Sequence, residues 1–366
     1  MQEPAKDTKK IQEQIFTGNV FIFHAFDVGD DINLEKISLS PSIQTIPLSL
    51  PKYFKNYHIP LAIELPHPHT TSHCISSKIY NFGAISLTYK IPFTDTLENL
   101  RASLEPMDNQ FQEQSMIDIK SVFKKIEKDI AQPNFYQTKS SYLVIQVDPR
   151  PDILSLKEFK EHFGGIVASA LRFETESLSE YLKNEILDAA TGYYRGDLII
   201  IDTDASFVYD DEYEEIIDFF EFANIQQLEL RYYDRLLDMK LNSIYEKGVP
   251  RLPFRSYLPI LSLLTRDPVA ALGKLKADIS VIVERLEGSI KLIGEPYFSE
   301  LYELLFDKLD LRNWYRSIDR KLEILTDIQI IYQNKTNAVR EEILSMLIII
   351  LIFIELIIGI LHYLKL

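Results

Sequence analysis

Three imidazoles and one thiol fall within eight residues at His67, His69, His73 and Cys74, the densest group of soft ligands in the sequence. Zinc takes three or four such ligands around a tetrahedron, and on extended backbone His67 and His69 project to the same side. The neighbours Pro66, Pro68, Thr70, Thr71 and Ser72 favour irregular backbone, so the plain alternative is a surface loop. Asp202 and Asp204 in IIIDTDAS are the other candidates for hydrolytic chemistry.

That Asp-x-Asp at the end of an apolar strand imitates the haloacid-dehalogenase phosphatases. Such an enzyme also needs magnesium ligands and a lysine on later strands, and beyond Tyr209 this chain offers helices, so the polar turn of a hairpin accounts for the pair more simply. There is no GxSxG elbow, P-loop or dinucleotide glycine fingerprint, and Gly164 and Gly165 stand alone. No cofactor and no resident metal are expected.

Two further groups point to assembly. In 222–239 (FANIQQLELRYYDRLLDM), Glu229 and Asp234 lie within helical reach of Arg231 and Arg235, and Tyr232 and Tyr233 add large amphipathic bodies. This is either a solvated, salt-bridged helix face or a buried polar network that fixes helix register or a subunit contact. Glu355 is the one ionisable residue in 343–361, a stretch of 19 residues of which 16 are strongly apolar. Gly359 follows at i+4 and His362 at i+7 on the same helix face. A charged acid at mid-membrane costs about 2.5 to 3.5 kcal/mol, which an interhelix hydrogen bond would offset, making Glu355 and Gly359 assembly determinants.

The elements that position these groups are clearest at the C-terminal end. At about 1.5 Å of rise per residue, 343–361 covers about 28 Å, close to the hydrocarbon thickness of a bilayer. Upstream, Leu311, Tyr315, Ile318, Leu322, Leu325, Ile328, Tyr332 and Val339 repeat at helical spacing and form one apolar seam. With Asn313 as N-cap, the spacing predicts one helix of about 50 residues. Its seam packs either against the same chain or in a self-associating coiled coil through Leu322, although Gln329 and Thr336 interrupt the repeat.

The 366 residues suffice for about two domains, and 46% hydrophobic content supports a sizeable core. A formal charge of −15 works against phosphate neutralisation, so no direct nucleic-acid partner is expected. One cysteine excludes an internal disulfide, and residues 1–17 carry no apolar signal core, which places the body in the cytoplasm.

Taken in order, 1–17 reads as a disordered lead. Strands are expected at 19–28, 60–65, 82–92 and 142–147, with 197–209 forming two more around a turn at 203–205. Helices are expected at 94–106, 116–130, 156–163, 166–171 and 178–190. After Tyr209 the pattern becomes helical: 211–247, stopped by Gly248 and Pro250, then 267–293 opened by Asp267 and Pro268, then 296–309. The boundaries are therefore 1–17, an α+β body at 18–209, a helical stalk at 210–342 and a transmembrane helix at 343–361.

At FGAISL, YYRGDLIIIDTDASFVY, FANIQQLELRYYDRLLD and KLEILTDIQIIYQNKTNAVREEILSMLIIILIFIEL the chain resembles the RMD1/YagE family, also called the domain-of-unknown-function 155 family. The resemblance runs from about Val20 to Leu361. Where members commonly read Leu-Glu-Trp at the start of the span, this chain has Leu344, Ser345 and Met346. The resemblance implies a membrane-anchored, oligomeric protein without an assigned catalytic site, with mitochondrial members linked to organellar translation. The expectation is a non-enzymatic scaffold or docking protein held in lipid through 343–361, homo-oligomeric and with a further protein partner. The alternative is a metal-dependent hydrolase using the His67, His69, His73 and Cys74 cluster or Asp202 and Asp204.

Overall fold

The computed structural model describes residues 14–29, 31–47, 59–65, 73–135, 139–150, 156–188, 190–192, 197–247, 268–288 and 296–364. His67, His69, Gly248, Pro250, Asp267 and most of the expected lead lie outside these residues.

The strands are β1 (Ile15–Asp27), β2 (Asp31–Ile32), β3 (Thr45–Ile46), β4 (Leu61–Ile63), β5 (Cys74–Ile79), β6 (Ala84–Thr96), β7 (Ile130–Ala131), β8 (Lys139–Val147), β9 (Ala190–Thr191), β10 (Leu198–Ile201) and β11 (Ala205–Tyr209). The helices are α1 (Leu34–Ser38), α2 (Leu97–Ile126), α3 (Leu156–Leu171), α4 (Glu180–Asp188), α5 (Glu214–Lys247), α6 (Pro268–Gly288), α7 (Pro296–Lys308) and α8 (Leu311–Leu364). Nine strands form one sheet in the order β3-β4-β5-β6-β1-β8-β11-β10-β9, and β2 pairs with β7 apart from it. Every neighbouring pair is antiparallel except β8 and β11. The fold is α+β, with a mixed sheet, flanking helices and a long apolar C-terminal helix.

β1 is the spine, because β6 and β8 pair along most of its length. Its residues alternate between faces. Phe16, Val20, Ile22 and Phe26 enter the core under α2 and α3, where Phe16 meets Phe159 and Phe163 edge-on at 6.3 and 5.1 Å. Phe21 and Phe23 share the other face with Thr88 and Tyr142, and there Tyr142 stacks on Phe220 of α5 at 5.8 Å. The sheet is buried on both sides, which is why several strands read as near-continuous apolar runs. Gly18 permits the close β1–β8 approach: a Cβ there would lie 2.0 Å from the Gln146 carbonyl oxygen.

Several elements differ from the sequence expectation. The helices expected at 94–106 and 116–130 are one, α2, which continues through Pro106. A proline removes one ladder hydrogen bond, and burial of Leu100, Leu104, Phe111, Ile119 and Val122 along one face outweighs that loss. In the same way α3 runs unbroken through Gly164 and Gly165. A Cβ at Gly164 would sit 2.7 Å from a Leu187 methyl, so the small residue lets α4 approach. Cys74 opens β5 instead of lying in a loop, and Asp310 (φ 59°), not Asn313, receives the first backbone bonds of α8, from Asn313 and Trp314 at 3.2 and 3.3 Å.

By packing, the chain divides into two compact units. One comprises 1–232 with 284–314, and the other 233–283 with 315–366. In the second unit the ammonium of Lys276 on α6 donates to the Thr326 hydroxyl on α8 at 2.7 Å, and Ile279, Val283, Ile318, Leu322 and Leu325 are buried. From 344 on, the large apolar side chains of α8 are exposed, over a length and composition sufficient to cross a membrane.

Candidate functional site

Within the first unit, the face of the sheet under α5 gathers charge. Lys78 sits opposite Ser86 in the β5–β6 register, Ser76 opposite Thr88, and Thr88 opposite Phe23 of β1. Residues paired across strands point to the same side, so these side chains line one face. Above them, Asp218 and Glu221 lie at i and i+3 on α5, within an aromatic and aliphatic run that must face the sheet. The Lys78 ammonium bridges both carboxylates, contacting Asp218 and donating to Glu221 Oε2 at 2.6 Å, while the Thr88 hydroxyl donates to Glu221 Oε1 at 2.9 Å. All four residues are at most 8% exposed. Burial alone would lower the affinity of Lys78 for its proton, but Glu221 and then Asp218 outweigh it and hold the ammonium above its usual range. Burial, reinforced by the same two carboxylates, pushes the neighbouring Tyr80 phenol well up.

Beside this network lies a cavity of about 240 Å³. Lys78, Asp218, Glu221 and Thr88 form its charged side, Ile46, Ala62, Ile75 and Ile217 its aliphatic walls, and Phe21, Lys90, Tyr213 and Glu214 also line it. The Lys90 ammonium lies 5.5 Å from the ring centroids of both Phe21 and Tyr213 and donates to the Tyr213 hydroxyl at 3.1 Å. A second, open cleft of about 740 Å³ between α3, α4 and β9 is lined by Lys157, Lys160, Lys183, Glu161 and Asp188. Its lysines are engaged: Lys160 donates to the Leu187 carbonyl at 3.2 Å and Lys183 to Glu180 at 2.7 Å.

The residues singled out from sequence are dispersed. The His73 ring meets Phe111 edge-on at 5.8 Å. Cys74 projects on the α2 side with Tyr89, and burial raises its thiol well above the usual range. No group of three or more His, Cys, Asp and Glu placed to hold a metal occurs among the described residues. Asp202 is buried and held by the Arg172 guanidinium, with one contact at 3.0 Å, while its backbone N–H donates to the Ala205 carbonyl at 3.0 Å. Asp204 is exposed and accepts from Thr203 at 3.0 Å. Together they close the β10–β11 hairpin, and neither lines the two cavities.

On α5, Glu229, Tyr233 and Asp234 are buried, Tyr232 is half-buried, and Arg231 and Arg235 are exposed. Asp234 accepts from Ser317 and from the Lys321 ammonium on α8, each at 2.6 Å, so its ion pair is to another helix. The amides of the same motif do different work: Gln226 donates to the Leu286 carbonyl at 2.9 Å and Gln227 to the Leu309 carbonyl at 3.0 Å, satisfying groups at two helix ends. Leu322 is buried, whereas Glu355 and Gly359 are exposed on α8, with nothing within 4 Å of a Cβ built at Gly359. Sequence reasoning missed Lys78, Thr88, Asp218 and Glu221. Their signal was present as charges inside apolar runs, a lysine in SSKIY and two acids in IIDFFEF.

This combination, a doubly covered α+β sheet with an internal ion network followed by an apolar helix of membrane length, defines the class of the protein. Residues 17–215 match the family "Uncharacterized protein MJ0711, N-terminal domain", and the chain belongs to that family. Uncharacterized protein MJ0711 of Methanocaldococcus jannaschii is 26% identical over 196 residues, covering 53% of this chain and 58% of that relative. The chain thus matches less than two thirds of the relative's length. No solved structure matches.

Proposed function

We propose that this protein is a membrane-anchored, non-enzymatic scaffold or docking protein of the RMD1/YagE type, with its body in the cytoplasm and α8 holding it in lipid. The observation that carries this reading is the C-terminal part of α8, apolar over a membrane's thickness and uncovered by the rest of the described chain. The engagement of Asp202 by Arg172, and of Lys78 by Asp218 and Glu221, supports a structural use of these acids. The motifs shared with RMD1/YagE support attachment to a membrane-associated process such as translation, through a protein partner and not through RNA.

Assembly belongs to the same reading. Glu355 lies about 18 Å into the span, and a second copy of this chain brings an identical carboxyl to the same depth, where two such groups can hydrogen-bond. Glu355→Gln keeps a donor and an acceptor and should keep the oligomer, whereas Glu355→Leu should weaken it. Equal oligomer populations for the two variants in one detergent would remove that role.

The anchor is tested by deleting 343–366. The truncated chain should be extracted from membranes by carbonate while the full chain stays, and carbonate-resistant attachment of the truncated chain would overturn the reading. Metal-dependent turnover of phosphoesters by the purified full chain, abolished by Asp202→Asn, would restore the hydrolase alternative.

A further inference from the structure

The cavity beside α5 is independent of how the chain is anchored, and two charged groups of its lining are not engaged by the internal network. Among the described residues the Lys90 ammonium makes no ion pair. The Phe21 and Tyr213 rings fix it at 5.5 Å from each centroid, the distance at which aromatic faces attract cations, and it donates to the Tyr213 hydroxyl at 3.1 Å. Glu214, next in the chain to Tyr213, also lines the cavity; it is exposed and likewise makes no ion pair among the described residues. Because the Tyr213 oxygen accepts from Lys90, its own O–H remains able to donate. An ammonium and a phenol thus stand side by side as donors, a pair that one carboxylate can take with its two oxygens.

The rest of the lining sets the ligand's body. Ile46, Ala62, Ile75 and Ile217 offer aliphatic surface, and about 240 Å³ lies below the range of roughly 300 to 1,000 Å³ common for drug-sized ligands. We propose that this cavity binds a free aliphatic α-amino acid, its carboxylate on Lys90 and Tyr213, its ammonium toward Glu214 and its side chain against Ile46, Ile75 and Ile217. A simple carboxylate would engage Lys90 and bring its charge beside Glu214, and a simple amine would engage Glu214 and bring its charge beside Lys90. The zwitterion engages both groups and carries no net charge into a partly desolvated site. The Lys78, Asp218 and Glu221 network keeps its own contacts and serves as the wall behind the ligand.

Leucine is the probe, titrated calorimetrically into the full chain in detergent, with isocaproate, which lacks the ammonium, and isoamylamine, which lacks the carboxylate, as controls. For a ligand of about nine heavy atoms, saturable binding at roughly millimolar concentration is expected, with each control weaker by about tenfold. Lys90→Met keeps an unbranched stem against the two rings and removes the charge, so it should weaken leucine binding by about tenfold. Because Lys90 also packs on those rings, Tyr213→Phe gives the second arm: it removes one hydroxyl, keeps the ring and the ammonium, and should weaken leucine by about threefold at an unchanged unfolding midpoint. Isoamylamine or isocaproate binding as tightly as leucine, absence of saturation by the wild-type chain, or undiminished leucine binding by both variants would each overturn the proposal.

Discussion

On the α5 side of the sheet a lysine, a threonine and two acids 140 residues away in sequence satisfy one another. On the α2 side His24 lies at 0% exposure with neither ring nitrogen hydrogen-bonded among the described residues. Both sites use the same strands: Phe23, opposite Thr88, precedes His24, opposite Leu87. One face keeps its charges by pairing them, while the other buries an ionisable group among Ile22, Leu87 and the edge of Tyr89, so that burial, with a smaller contribution from Lys139, pushes its pKa down to about 3. A buried polar group is thus held charged or held neutral according to what the register places opposite it.

The largest effect should come from breaking the paired face. Lys78→Met leaves two buried carboxylates without their cation and should cost about 3 to 5 kcal/mol, read from urea unfolding of the full chain in detergent. Adding Asp218→Leu and Glu221→Leu should recover most of the loss, since an apolar replacement has no charge to desolvate. A triple variant no more stable than the single one would mean that the network contributes more than mutual neutralisation.

Acid should act on the other face. The folded-state pKa of His24 lies below its ordinary value of 6.5, so between about pH 6.5 and 3 the unfolded chain binds the extra proton. Stability is full above this window and falls as pH drops through it, by about 1.4 kcal/mol per unit and so about 2 kcal/mol between pH 6.5 and 5. His24→Leu should flatten that stretch of the profile. An unchanged slope would assign the acid sensitivity elsewhere.

The smallest effect belongs to the hydrogen bond on the His24 side, where the Tyr89 hydroxyl donates to Asp118 at 2.7 Å. Gln114 also donates to that side chain, at 2.9 Å, so Tyr89→Phe should cost only about 1.5 to 2 kcal/mol. A loss as large as that of Lys78→Met would erase the distinction between the two faces.

Much of the secondary structure was legible because its signal is local. Richness in Phe, Val and Ile revealed β1, alternation revealed β6, the Asp148–Pro149 stop marked the end of β8, the polar turn at 203–205 revealed the β10–β11 hairpin, and Pro296 marked the start of α7. The errors fell where tertiary burial overrode a local preference: Pro106 inside α2, Gly164 and Gly165 inside α3, and Cys74 in a strand instead of a loop. The acidic helix motif was legible as important and illegible in its use, because the partners of Gln226, Gln227 and Asp234 lie at Leu286, Leu309 and Lys321.

By itself the sequence determined the membrane-length helix, since an uninterrupted apolar run satisfies its own backbone hydrogen bonds and needs no partner to become a helix suited to lipid. It also determined that the remainder has a real core and that the chain carries a net negative charge. Only the tertiary structure decided which polar groups meet. Lys78 finds Asp218 and Glu221 through strand register and the rotation of α5 above the sheet, and a one-residue slip in either would turn the charge away. The site beside α5 therefore exists only once β5, β6 and α5 are in place, because a buried ion is defined by its neighbours in space.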